Sequence, residues 1–461
     1  MRLVWFRNDL RLDDNPALHA AVASGEPLLL LYCLDERAGA ASRWWLHHSL
    51  TALDADIATR GGQLVLRRGE PVEIIAKLVK DHGVKAVHAA RAYEPFWRAT
   101  DQRLDAVLKT LDCALYRHLS TSLFAPERIT TKAGKLFGVY TPFSKACFEA
   151  GVPAGHLPAP AQLRSEIIAS DRLDSWDLLP TKPDWAGGLR AEWTPGEAGA
   201  KTRLEAFLAG PIQQYGKARD FPGQAGTSKL APHIHFGEIS PRYVWHRAMA
   251  MGDGKGVEIF LKELLWREFS LTQLWQHPTL RTQPIREEFS AFGWRAHESH
   301  LRAWQKGMTG VPIIDAGMRE LWQTGWMHNR VRMICASYLV KHLLIPWQAG
   351  EQWFWETLCE ADEAANGASW QWVAGCGADA APYFRIFNPV LQGQKFDPAG
   401  AYVRRFVPEL ADLPDAYIHA PWEAPPTLRA HYNYPPPLIL PAAGRQAALN
   451  AYAEMQTTAR R

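Results

Sequence analysis

Residues 2–16 read RLVWFRNDLRLDDNP: an apolar run, RLVWF, that breaks into charge at Arg7. A short apolar run bounded by polar residues reads as a buried strand. Four more follow: PLLLLYCL (27–34), QLVLRR (63–68), KAVHAA (85–90) and CALYRHL (113–119). Amphipathic stretches such as SRWWLHHSLTALDADIATRG (42–61) separate them. Buried strands alternating with helices predict a parallel, doubly wound, Rossmann-like sheet, whose ligands sit beyond the carboxyl ends of the strands. The usual dinucleotide site needs G-x-G-x-x-G after the first strand. This chain has FRNDLRLDDNP there, so that mode of binding is not expected.

The chain has 461 residues, too many for one hydrophobic core, so several domains are expected. Two Pro/Ala/Gly-rich stretches, GVPAGHLPAPAQL (151–163) and LLPTKPDWAGGLRAEWTPGEAG (178–199), read as a long connector. Beyond it the apolar residues recur at helical spacing, as in VEIFLKELLWREFSLTQLW (257–275) and MRELWQTGWMHNRVRMICASYLVKHLL (318–344). The expected division is an α/β domain at 1–125, a linker at 126–195 and an all-helical domain at 196–461. The Pro-rich stretch 421–441 should wrap the surface, ahead of a short helix near 442–457.

Net charge is only +3, which neither requires nor excludes nucleic acid. Six cysteines without a C-x-x-C spacing argue against a disulfide framework or a zinc site, so no metal is expected. No signal peptide is read at the start and no apolar run approaches a membrane span. A cytoplasmic monomer is expected. The anomaly is tryptophan: 20 residues, 14 of them after residue 190, a surplus of flat surfaces suited to stacking on rings.

Several short constellations stand out in the second half. In KELLWREF (262–269), Glu263, Trp266 and Arg267 fall at i, i+3 and i+4, on one helical face. In GWMHNRVRM (325–333), Asn329 and Met333 share a face, an amide beside a thioether that can grip a base edge and pack on its plane. GTSKL (226–230) puts hydroxyls in a turn leading to helix, a phosphate cradle that is not a Walker A loop. GCGADA (375–380) matches G-x-G-x-x-A but follows a Trp-rich helix rather than a strand, so it is not read as a dinucleotide fingerprint. Trp370 and Trp372 in ASWQW (368–372) point about 200° apart on a helix and cannot serve one surface. Taken singly, each pattern fits an ordinary helix cap, core residue or surface pair.

Taken in order, VWFRNDLRLDDNPAL, GTSKL, ELLWREF, WQKGMTGVPIIDAGMRELWQTGWMHNRVRM, WQWVAGCGADAAPYFRIFNPVLQGQKFD and YVRRFVPEL resemble the DNA photolyase/cryptochrome family along essentially the whole chain. WWLHHSL, LLPTKPDW and EWTPGE are similar to the bacterial class III cyclobutane pyrimidine dimer (CPD) photolyases. The resemblance implies an N-terminal antenna domain, a linker, and a helical domain that holds FAD. It implies light-driven splitting of cyclobutane dimers in UV-damaged DNA, by electron transfer from photoexcited reduced FAD to a flipped-out dimer.

Residue by residue, the resemblance assigns Thr227, Ser228, Lys229 and Leu230 to the FAD phosphates, with Tyr215 nearby. Ala231 stands where relatives often have Ser, and Phe260 where some have Trp. Arg332, Glu360, Asp362 and Asn366 surround the isoalloxazine, Asn366 facing its N5; Glu360 replaces the usual Asp. Trp266 and Trp372 match the walls of the dimer pocket, Met333 its packing, and Glu263 and Asn329 its hydrogen bonds. Glu263 also borders the flavin. Arg219, Arg267, Arg330, Arg385, Gln392 and Lys395 match positions near DNA phosphates, with Arg404 and Arg405 as weaker candidates. Trp370, Trp347 and Trp304 match an electron-transfer triad that runs from the surface to the flavin.

The antenna suggested by the subgroup is 5,10-methenyltetrahydrofolate, with deazaflavin, flavin or no antenna left open. Phe96 and Trp97 replace the Asn and Glu of folate-binding enterobacterial relatives, so folate would sit elsewhere, with Trp44, Trp45 and His48 as its candidate wall. Three alternatives stand beside this reading; one is an α/β nucleotide-binding domain with helical appendages and no light chemistry, for which the Glu–Trp–Arg face, the Asn/Met face and the triad positions would all be coincidences. A (6-4) photolyase would carry histidines where this chain has Asn329 and Met333. A plant-like cryptochrome photoreceptor would carry Asp at 366 and a long C-terminal extension.

Overall fold

The structure is a computed structural model that describes residues 1–380 and 385–459. Two compact units emerge. The first comprises Met1–Gln213, Ser228–Pro278 and Cys359–Asp362; the second comprises Gln214–Thr227, Thr279–Leu358 and Glu363–Arg461.

In the first unit all five apolar runs are strands: β1 (Arg2–Phe6), β2 (Leu28–Cys33), β3 (Leu64–Arg67), β4 (Ala86–Ala90) and β5 (Ala114–His118). They pair in parallel in the order β3-β2-β1-β4-β5, with Trp5 opposite Leu31 on one side and Ala89 on the other. Helices Pro16–Ala23, Ala40–Ala58, Pro71–His82 and Pro95–Thr110 provide the crossovers that parallel strands require. The inner strands are buried on both faces, which explains their unbroken apolar runs. Edge strand β5 exposes Tyr116.

Strand order reverses at β1, where a crevice for ligands is expected. Here protein fills it. Arg7, just beyond β1, pairs with Asp101 at 2.8 Å, both buried. Its guanidinium lies 4.6 Å from the Trp5 ring, and Trp97 meets Trp5 edge-on at 5.7 Å.

The connector is irregular but strapped to the sheet. Ser165 Oγ accepts from Gln63 N at 2.8 Å, Ser170 Oγ from Leu66 N at 2.9 Å, and Asp171 from Arg68 N at 2.8 Å. The same stretch of chain contains a helix, Tyr140–Ala150, whose Tyr140, Phe143 and Cys147 turn inward on the long helix Lys255–Gln276.

The second unit is helical. Pro312–Thr324, Asn329–Lys341, Trp347–Thr357 and Glu363–Ala374 pack as neighbours around a core that includes Trp304, Trp347 and Trp370. Gly325, at φ 65°, ends the first of these in the left-handed conformation that glycine adopts without a Cβ penalty. The Pro-rich stretch does wrap back: Leu438 N donates to Thr309 O at 2.9 Å. The last helix runs Pro441–Ala459, longer than its sequence pattern suggests.

Candidate active site

On the Lys255–Gln276 helix, Glu263, Trp266 and Arg267 are all half-buried, while Leu264, Leu265, Glu268 and Phe269 turn into the core. The i, i+3, i+4 pattern therefore forms one accessible face. Arg267 is steadied by Glu268 at 3.3 Å, and the Glu268 carboxylate also accepts from Leu123 N (3.0 Å) and Phe124 N (3.2 Å). Burial pushes the Glu268 carboxyl up to about 7 despite these partners.

The candidate phosphate turn lies in Thr227–Lys229, all half-buried. Lys229 has φ 50° and pairs with Glu192 at 2.7 Å, so its charge is already partly engaged. Ser228 Oγ accepts from Leu230 N at 3.4 Å. The helix that follows, Ala231–His235, is too short to supply much dipole. Phosphate binding here would rest on hydroxyls and turn N–H groups. Ala231 is exposed, Leu230 is buried, and Phe260 is buried against Phe207 at 4.8 Å. The Cys359–Asp362 segment is anchored within the same unit, Cys359 O accepting from Ser42 Oγ at 3.1 Å and Asp362 standing 3.7 Å from His235. Glu360 is buried.

In the second unit, Asn329 is exposed and is the first residue of its helix, capped by His328, so it needs none of the explanation a helix-interior Asn would. Met333 is half-buried one turn on, completing a second accessible face. Arg332 donates through Nε to Met327 O at 2.7 Å. Tyr215 is buried, with Arg219 over its ring at 5.4 Å.

The basic residues divide. Arg385 and Lys395 are exposed and Gln392 is half-buried. Arg330 instead pairs with Asp220 at 2.7 Å and covers the Phe396 ring at 4.4 Å, so a phosphate would have to compete for it. Arg404 is spent on the chain itself, donating to Ala411 O at 2.9 Å and Leu413 O at 2.6 Å, and is withdrawn as a DNA contact.

The Glu363–Ala374 helix carries the pair of tryptophans. Asn366 and Trp370 are buried one turn apart; Trp372 is half-buried and borders a small cleft with Lys341, Arg385 and Phe387. The Asn366 amide is oriented by a residue with no sequence signal of its own. Its Nδ2 donates to Glu351 O (3.0 Å) and Glu351 Oε1 (2.9 Å), and Arg281 holds Glu351 at 2.6 Å. That leaves Oδ1 as the outward acceptor, suited to a ring N–H.

The three matched tryptophans are brought together, but not in the expected order. Trp304 cannot be the surface end of a path. It is 0% exposed, its Nε1 donates to Cys335 O at 3.1 Å, and its ring lies 6.1 Å from Trp370. Trp347 is also buried, on the face of its helix that carries Gly350. A Cβ at Gly350 would collide with the Trp370 ring, so that helix packs directly on Trp370. Trp294 is half-buried, and the backbone N of its neighbour Arg295 donates to Leu344 O at 2.7 Å, three residues before Trp347. Its only sequence signal was a second Trp ten residues before Trp304.

Comparison with known proteins identifies the family. A family model described as DNA photolyase matches residues 2–161, and one described as the FAD binding domain of DNA photolyase matches 260–454. The chain is 46% identical to the deoxyribodipyrimidine photo-lyase of Agrobacterium fabrum, over 99% of this chain and 98% of that one. The chain belongs to the DNA photolyase/cryptochrome family. The crystal structure of a bacterial class III photolyase from Agrobacterium tumefaciens superposes with a TM-score of 0.96 at 46% identity, covering 99% of this chain and 98% of that one. Arabidopsis thaliana Cryptochrome-1 is 35% identical over 95% of this chain but only 68% of its own length. As in other photolyase-family chains, an FAD-binding domain is present.

The groups present are of a kind that suits FAD: a hydroxyl at Ser228 and a cation at Lys229 in the first unit, and a hydroxyl at Thr227, a cation at Arg332 and the Asn366 amide in the second. The antenna candidates fare unequally. Trp45 is a core residue, 0% exposed, its Nε1 donating to Glu238 at 2.9 Å and its ring stacked on Phe236; it is withdrawn as an antenna wall. Trp44 and His48 meet at 4.6 Å, and among the described residues Trp44 Nε1 and His48 Nε2, both buried atoms, have no hydrogen-bond partner.

Proposed function

We propose that this protein is a deoxyribodipyrimidine photo-lyase, repairing UV-damaged DNA by splitting cyclobutane pyrimidine dimers in blue light. The observation that carries this reading is the near full-length similarity to a deoxyribodipyrimidine photo-lyase. The expected division into antenna domain (1–125), linker (126–195) and catalytic domain (196–461) is kept as the functional one. FAD, when bound, would supply the light-driven, reversible one-electron transfer that the opening of the dimer ring requires.

The chain's own residues do the rest. A dimer is poorly stacked in its duplex and cheap to extrude. Trp266 in the first unit and Trp372 in the second each offer a flat apolar surface for a base, Met333 offers packing, and Glu263 and Asn329 offer hydrogen bonds to polar base edges. Arg219, Arg267, Arg385, Gln392 and Lys395 take up phosphates, so affinity falls as salt rises. Asn366, locked by Glu351, offers Oδ1 to the proton at flavin N5. Electrons enter from solvent at Trp294 and pass through Trp347 and Trp370.

A folate antenna, 5,10-methenyltetrahydrofolate, is proposed against the half-buried His48, whose Nε2 has no hydrogen-bond partner among the described residues; Trp44, 1% exposed, backs that ring from the core rather than forming the wall itself. The filled crevice at β1 favours that helix over the strand ends. No helix among the described residues is long and apolar enough to cross a membrane, and a cytoplasmic monomer is proposed. The test is an oligonucleotide carrying either a cyclobutane dimer or a (6-4) product, incubated with reduced protein in light and dark. Loss of the cyclobutane dimer alone, in light alone, is expected. Repair of the (6-4) product, or of neither, contradicts the reading.

A further inference from the structure

We infer that Tyr140 is a positioning residue for substrate recognition, the back wall that makes Trp266 a one-faced platform. The inference rests on the repair reading above, which gives Trp266 the dimer to stack on. The two rings are parallel within 6° and their centroids are 3.6 Å apart. Tyr140 is 8% exposed while Trp266 is half-buried, so one face of the indole is sealed and its remaining accessible surface lies away from Tyr140.

The Tyr140 ring is itself tied down. Its Oη donates to Lys262 O at 2.6 Å, a carbonyl one turn before Trp266 on the same helix. Phe269 closes the box, edge-on to both Tyr140 (5.9 Å) and Trp266 (5.8 Å). The chain entering Tyr140 is pinned as well, Phe137 O accepting from Gln273 Nε2 at 3.0 Å on that helix.

A face-to-face pair is less favourable than an offset or edge-on one, so the geometry is imposed by these surroundings. Its consequence is orientational. A half-buried Trp on a helix surface would otherwise sample several rotamers, and binding would have to immobilise it. Tyr140 removes that cost before the dimer arrives. None of this touches the reacting atoms, so the step it governs is binding.

The test uses the FAD-loaded full chain with Tyr140→Leu, which removes the ring, and Tyr140→Phe, which keeps the stack but loses the tether. Kd is measured for dimer-containing and undamaged oligonucleotides, with flavin content and light-driven repair of saturated substrate alongside. Tyr140→Leu should weaken dimer binding by about five- to tenfold, leave undamaged DNA and repair at saturation unchanged, and keep its flavin. Tyr140→Phe should stay near the parent protein. If Tyr140→Leu loses flavin, Tyr140→Met, which refills the volume with a flexible chain, is read in the same way. Parent-like dimer affinity, or equal weakening for both DNAs, overturns the Tyr140 role alone. Parent protein that leaves dimers intact in light overturns the repair reading, and this role with it.

Discussion

Trp370 and Trp372 stand two residues apart on one helix and end in opposite surroundings. Trp370 is 2% exposed, walled by Trp304, Phe354 and the Gly350 backbone; Trp372 is half-buried at the edge of a cleft beside Arg385. The same contrast separates the buried Trp304 and Trp347 from the half-buried Trp266. A buried indole in ring-to-ring contact is placed to pass electrons and has no surface left for a ligand. A half-buried one is placed to stack and is poorly insulated. Burial, rather than residue type, divides the work.

Substitutions that affect one class and spare the other test this division. The largest effect is expected from Trp372→Ala. Loss of a base-stacking face should weaken dimer binding by about 10-fold or more, read by titration of a dimer-containing oligonucleotide, with flavin content and photoreduction of oxidised FAD unchanged. A loss of photoreduction would merge the two classes. Next comes the exit of the electron path. Trp294→Phe should slow photoreduction severalfold in blue light, whereas Trp304→Phe should slow it less, because Trp304 reaches no solvent. The reverse order would return the surface role to Trp304.

A separate effect concerns stability, read on Glu268 rather than on either class of tryptophan. The folded-state pKa of Glu268, about 7, is raised above its unfolded value. The folded protein therefore binds more protons than the unfolded chain between these values. Its stability should fall as pH rises from about 4.5 to 7, by about 3 kcal/mol at most from this group. Glu268→Gln should flatten that slope in thermal unfolding at pH 5 and pH 8; an unchanged slope would show that the carboxyl titrates normally.

Much of this was legible in the sequence where structure is local. The five strands were apolar runs between turn signals, and the Glu263–Trp266–Arg267 face followed from helical spacing alone. Non-local partners were not legible. Nothing in Glu351 marks it as the residue that orients Asn366 from a separate helix, fifteen residues away. Tyr140 sat in a stretch read as linker, and its partner lies across a helix–helix contact. Trp304 is assigned to the triad by resemblance, and a matched position does not say what covers the side chain, here fully buried. Nor does the sequence show that Arg330 has the Asp220 carboxylate beside it, or that Arg404 is taken up by the carbonyls of Ala411 and Leu413.

The most direct test of the central claim uses Trp370→Phe. The variant is loaded with FAD and divided: one portion is illuminated with the flavin oxidised, the other reduced chemically and mixed with dimer-containing DNA in blue light. The account predicts that photoreduction is lost while dimer splitting proceeds at the parent rate. Dimers that survive illumination with the reduced variant but not with the reduced parent would contradict it.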